Sequence, residues 1–225
     1  QAILDGVAVA RRITMAEVIA SEYGCEVSTS PIPILASIHK EDPGQLDRMV
    51  LKRIALLPHA SFQLVERDIG LSGEKLVEYA GHLSKRITEI RDPDYNPRIH
   101  LDLYGTLGEL FGSDLERLTD YLGTVAEAAS PYKVLIETPV IAKTQDAQIE
   151  TFITIRKLLK RKGIDIGIIA DEWCNTLEDI KRFAAQGASD FVQIKTPDLG
   201  GINNSIEAVL ACRRNGMGCC LGGTA

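Results

Sequence analysis

From residue 98 onward, short apolar runs alternate with amphipathic segments in a regular rhythm, and no other feature constrains the fold of this 225-residue chain so tightly. The apolar runs fall at 98–104, 133–137, 166–170, 191–194 and 218–221. Between them, 114–128, 146–160, 176–185 and 204–213 carry apolar residues at helical spacing. Apolar strands alternating with helices imply a parallel sheet covered by helices. Upstream the pattern predicts a helix over 1–20 stopped by Gly24, a strand over 31–37, and a helix over 45–57 ending before Pro58. A strand over 61–65 and a helix over 74–90 follow.

These expectations amount to seven strands, one βα unit short of a closed eight-stranded barrel. The last unit is therefore expected beyond Ala225. An open doubly wound sheet is the alternative, but no GxGxxG or GxxxxGK[ST] follows any strand, so the TIM-type (β/α) barrel is preferred. With 45% hydrophobic residues the chain can bury one large core. A net charge of −6 with dispersed Lys and Arg supplies no basic stripe, which argues against nucleic acid as a partner. No window of 18 uncharged apolar residues exists, and the N-terminus lacks signal-peptide features, so no membrane partner is expected. Five cysteines without CxxC spacing argue against a disulfide framework or zinc site, and fit a cytoplasmic location.

Catalytic side chains of such barrels project from the C-terminal ends of the strands. Successive strands here end in Asp102, Glu137, Asp171 and the pair Gln193 and Lys195. A single acid at a strand end is as well explained as a cap on the next helix. Three in succession form an all-oxygen, hard donor set suited to octahedral Mg²⁺. Gln193 and Lys195, two apart on one strand, face the same side. Beside a divalent cation the charged form of Lys195 is disfavoured, so its pKa is expected to fall and leave a neutral amine able to act as general base. His59, near the second strand, is a second acid/base candidate from the opposite side of the barrel mouth, although a lone His after Pro is more often a packing residue. His39, His82 and His100 have weaker cases.

The segments LPHA (57–60), HLDLYG (100–105), LIETP (135–139), IADEWCNT (169–176), QIKTPDLGGINN (193–204) and GGT (222–224) resemble the 3-methylaspartate ammonia-lyases of the enolase superfamily over nearly the whole chain. The resemblance implies a barrel of that superfamily at 29–225, with 1–28 the remnant of an otherwise absent N-terminal capping domain. It also implies Asp102, Glu137 and Asp171 as Mg²⁺ ligands, and Lys195 and His59 as the acid/base pair. Gln193 and His59 would hold the metal-bound carboxylate, and Thr224 the other one. The implied reaction is carbon–nitrogen elimination: Lys195 takes a proton beside a carboxylate, Mg²⁺ neutralises the charge that builds there, and ammonia leaves to give mesaconate. A small dicarboxylate amino acid is the implied partner. Whether K⁺ assists is left open, and a homodimer is the default assembly.

Two positions depart from the family pattern. Ser37 stands where relatives have Gln, and Ala225 where they have Cys after GGT; both belong to the pocket for the amine and its neighbouring carboxylate. A Ser cannot span the gap a Gln fills unless water or a neighbour such as His39 or Lys40 reaches in. The alternatives are therefore another enolase-superfamily dehydratase or racemase/epimerase, a Schiff-base aldolase using Lys195, and a barrel that binds without catalysis.

Overall fold

The computed structural model describes residues 1–38, 40 and 42–222; Thr224, Ala225 and His39 lie outside the described residues. The chain divides into two compact units, Gln1–Pro33 and Ile34–Ala225. The first unit holds two helices, α1 (Ala2–Arg11) and α2 (Met15–Tyr23), where the apolar periodicity predicts one. The break has a local cause. Arg12 ends α1 in the left-handed region, and Thr14 and Glu17 form a reciprocal capping box that starts α2. Gly24 then stops α2 with a φ of 62°.

The second unit is a six-stranded, all-parallel sheet in sequence order: β1 (Leu56–Ser61), β2 (Arg98–Asp102), β3 (Val134–Glu137), β4 (Ile166–Ala170), β5 (Phe191–Lys195) and β6 (Gly218–Gly222). Before the sheet lies α3 (Pro43–Leu51). The connections carry α4 (Glu74–Ile90), α5 (Thr106–Phe111), α6 (Leu115–Ala128), α7 (Gln145–Lys162), α8 (Leu177–Gln186) and α9 (Ile202–Arg214). The arrangement is a partial (β/α) barrel. Fully buried side chains from strands and helices, among them Ile99, Leu101, Ile136, Ile168, Ile194, Leu83, Leu122, Phe152 and Phe183, join in one core.

Three upstream expectations are corrected. The strand expected over 31–37 is reduced to one bridge, Leu35 to Leu56, because Pro31 and Pro33 have no N–H to contribute to a ladder. The helix expected to reach residue 57 ends at Leu51, with Arg53 at a φ of 57° turning the chain. The strand expected over 61–65 lies earlier, at Leu56–Ser61, and accommodates Pro58 by a register shift between Pro58 and Ala60; Val65–Ile69 is a single π-helical turn.

That turn is built around Asp68. Its buried carboxylate accepts from Arg67 at 2.7 and 2.8 Å, from Lys40 Nζ at 2.6 Å, and from the backbone N–H groups of Gln63 and Leu64 at 2.9 and 3.1 Å. Arg67, then Lys40 and the two amides, outweigh burial and hold the carboxyl well below the usual carboxylate range. A depressed folded-state pKa contributes stability above the unfolded value of about 4, and that contribution is lost as pH falls. Asp68→Asn is accordingly expected to cost about 2–3 kcal/mol at neutral pH, charged hydrogen bonds being lost at a buried site. Denaturant titrations of both proteins check this: the difference should hold above about pH 5 and shrink below about pH 4.

Candidate active site

The strand register brings the acidic residues together. Asp102 and Glu137 are direct partners on β2 and β3, and Ser61 is the partner of Asp102 on β1. Asp171 follows β4 and Lys195 closes β5. The chain leaves β2, β3 and β4 through sharp turns at Tyr104, Thr138 and Trp173, and His59 sits at the register shift inside β1; all four have φ between 42° and 67°. Non-glycine residues in this region cost of order 1–3 kcal/mol each, and such strain concentrates at functional sites. Gly105, with a φ of 79°, completes the turn after Asp102; a Cβ there would lie 2.8 Å from the Ile141 side chain.

Lys195 Nζ donates to Asp171 Oδ2 at 2.7 Å. Glu137 Oε2 accepts from Gln193 Nε2 at 2.8 Å and is bonded to His100 Nε2 at 2.6 Å, while His59 Nε2 lies 3.5 Å from the same oxygen and 3.9 Å from Asp102 Oδ2. Five of the predicted residues, Asp102, Glu137, Gln193, Lys195 and His59, are thus linked with Asp171 through contacts or register at one end of the sheet. Ser37 is tied to the same place, its Oγ donating to the His59 carbonyl oxygen at 3.3 Å.

Sequence reasoning passed over His100, which proves to be the partner of Glu137. It is completely buried, and burial holds its pKa below the usual imidazole range. A neutral ring that bonds a carboxylate through Nε2 carries its proton there, which leaves Nδ1 as an acceptor; no partner meets it among the described residues. Its ring centroid is 4.7 Å from that of His59. The available signal was strand alternation, since His100 precedes Asp102 by two residues and shares its face.

The carboxylates at the site form a buried anionic cluster. Burial, then the charges of Glu137, Glu172 and Asp171, push Asp102 up to about 9. Asp171 is pushed up to about 6 by burial, against the pull of Lys195. Burial alone would raise Glu137 too, but His100, His59 and Gln193 outweigh it and hold its carboxyl low. Buried carboxylates whose repulsion is relieved only by protonation are a donor set that fits a hard divalent cation. The ligand atoms that close to within 4.8 Å of one another among the described residues are those of His59, His100 and Glu137, not of the three carboxylates.

Burial works against the Lys195 ammonium, but the hydrogen bond to Asp171 and the charges of Asp171, Glu137 and Glu172 outweigh it and raise its pKa. Beside it opens a cleft of about 340 Å³ lined by Ile141, Asp171, Glu172, Trp173, Asn175 and Lys195. No helix among the described residues is long and apolar enough to cross a membrane.

Residues 26–225 match the family model for the methylaspartate ammonia-lyase C-terminus. Along its whole length the chain is 49% identical to methylaspartate ammonia-lyase 2 of Carboxydothermus hydrogenoformans, covering 54% of that protein. The crystal structure of the Mg complex of β-methylaspartase from Clostridium tetanomorphum superposes with a TM-score of 0.93 at 44% identity, over 99% of this chain and 54% of that one. Muconate lactonizing enzyme from Pseudomonas putida superposes with a TM-score of 0.61 at 16% identity, over 91% of this chain and 50% of that one, a likeness of fold alone. The chain spans about half the length of the curated relatives it matches.

Proposed function

The chain belongs to the methylaspartate ammonia-lyase family, and from that premise we propose that it carries the metal-binding and proton-transfer residues of a carbon–nitrogen lyase acting on 3-methylaspartate or a close 2-amino dicarboxylate, with ammonia and mesaconate as products. The observation that carries this reading is the meeting of Lys195, Asp171, Glu137 and Asp102 at one mouth of the sheet. Asp102, Glu137 and Asp171 hold the cation, and Mg²⁺ is the ion expected: the donors are all oxygen, and the Clostridium relative was solved as its Mg complex. Such a cation supplies Lewis-acid neutralisation of the charge that develops on the substrate carboxylate.

The residues divide the remaining work. Lys195, once its pairing with Asp171 is relaxed, takes the proton from the carbon beside that carboxylate, and the C–H electron pair moves toward the carboxylate. The same pair then forms the carbon–carbon double bond as the C–N bond breaks and the nitrogen departs with the C–N electrons. His59, on β1, stands four strands from Lys195 and serves the opposite face of the reacting carbon. His100 and Gln193 keep Glu137 ionised and oriented through its Oε2. The test is to incubate the full-length protein with 3-methylaspartate and Mg²⁺ and assay ammonia together with the ultraviolet absorbance of the unsaturated diacid. Both should appear in equal amounts and vanish with chelator; no ammonia from this or any related amino diacid would refute the proposal.

A further inference from the structure

The turn that carries Asp171 contains a residue its backbone does not favour. The Cys174 N–H donates to the Asp171 carbonyl oxygen at 3.0 Å and closes a four-residue turn, in which Trp173 takes a φ of 67°. Glycine or asparagine ordinarily fills a left-handed place in a turn, because a bulky side chain there strains the backbone. Such a conformation persists only where the surroundings hold it, and here they hold Trp173 from both ends. Its indole Nε1 donates to the Ala142 carbonyl oxygen at 3.1 Å, and its own carbonyl oxygen accepts from Gln145 Nε2 at 3.0 Å. Gln145 is fixed in turn by a bond to Asp179 Oδ1 at 2.6 Å, the acid that completes the capping box of α8.

Ala142 belongs to the loop that follows Glu137, and the same loop receives the turn after Asp102. The Gly105 N–H donates to the Thr138 carbonyl oxygen at 2.8 Å, and the Gly108 N–H to that of Pro139 at 3.1 Å. The fully buried Gln148 of α7 ties the loop down, its Nε2 donating to the Val140 carbonyl oxygen at 2.7 Å and its Oε1 accepting from the Ala142 N–H at 2.6 Å. Residues 138–142 are thus bonded to the segments behind Asp102 and Asp171 while following directly on Glu137.

We propose that Trp173 is a positioning residue, which through its bond to this loop fixes the Asp171 carboxylate relative to Glu137 and Asp102 and so preorganises the three for a cation. This role rests on reading those carboxylates as the cation's ligands. Removing a group that orients a metal ligand from behind typically costs about 10–100-fold in metal affinity. The indole also packs against the core, and packing alone would register in stability and not in affinity.

The test is calorimetric binding of Mg²⁺ to the full-length protein, with unfolding midpoints measured in parallel without Mg²⁺, for wild type, Trp173→Phe and Gln145→Met. Trp173→Phe keeps an aromatic ring and loses the N–H that reaches Ala142. Gln145→Met keeps the chain length and loses the bond to the Trp173 carbonyl oxygen. Each should weaken Mg²⁺ binding by about tenfold or more. Gln145→Met leaves the indole in the core and decides the matter if Trp173→Phe does not fold. Mg²⁺ affinity within twofold of wild type in the variants that fold would overturn the proposal, whether or not the midpoint falls, and would leave Trp173 a packing residue. That outcome leaves the cation reading standing. A wild type that binds no Mg²⁺ refutes the cation reading itself, and the positioning role falls with it.

Discussion

Replacing Lys195 by methionine is expected to lower kcat by about 10³-fold, in line with the 10²–10⁴ that a positioned general base contributes. The side chain is partly exposed at the end of β5 and takes no part in the core, so the fold should survive. The unfolding midpoint should stay close to that of wild type, and KM should change far less than kcat, because the lost interaction belongs to proton transfer and not to ground-state binding. Asp171 loses its ion-pair partner in this variant, so Mg²⁺ affinity should be retained or increased. Steady-state kinetics, an unfolding curve and a parallel Mg²⁺ titration check all four statements; turnover within tenfold of wild type would remove Lys195 from the mechanism.

Glu137→Gln is expected to have the second large effect, on the metal and on the reaction together. Glu137 is buried, is the register partner of Asp102, and accepts at one oxygen from both His100 and Gln193. A neutral amide removes one of the charges that the site directs at a cation, and turns an N–H₂ toward donors that expect an acceptor. Mg²⁺ affinity should fall by about 100-fold and kcat/KM by about 10³-fold, the scale seen when charge stabilisation is removed from a transition state. Part of the activity should return at high Mg²⁺ concentration. An unchanged Mg²⁺ titration would contradict the assignment of Glu137 as a ligand.

Much of this was legible from patterning. Strands β2 to β6 and helices α4 and α6 to α9 were anticipated within a few residues because each strand is a short, nearly unbroken apolar run flanked by a helix of clear periodicity. The region before residue 70 was not, and Pro58 is the reason. In isolation it marks a helix end, and only pairing with β2 makes room for it inside a strand with shifted register. The Thr14 and Glu17 capping box was readable in the same way as the caps downstream, yet the apolar periodicity runs through it and hid the break. At the site, the carboxylates and Lys195 could be found because chemistry-bearing residues recur at strand ends. His100 ranked below His59, since a buried His on an inward face is ambiguous until its ring nitrogen is seen against Glu137.

Proton abstraction by Lys195 is the central proposed step, and solvent hydrogen exchange measures it. The full-length protein, given Mg²⁺ and 3-methylaspartate in deuterium oxide, should place deuterium at the carbon bearing the methyl group of recovered substrate, and Lys195→Met should abolish the exchange for the diastereomer the wild type prefers. Exchange at the wild-type rate in that variant would contradict the account.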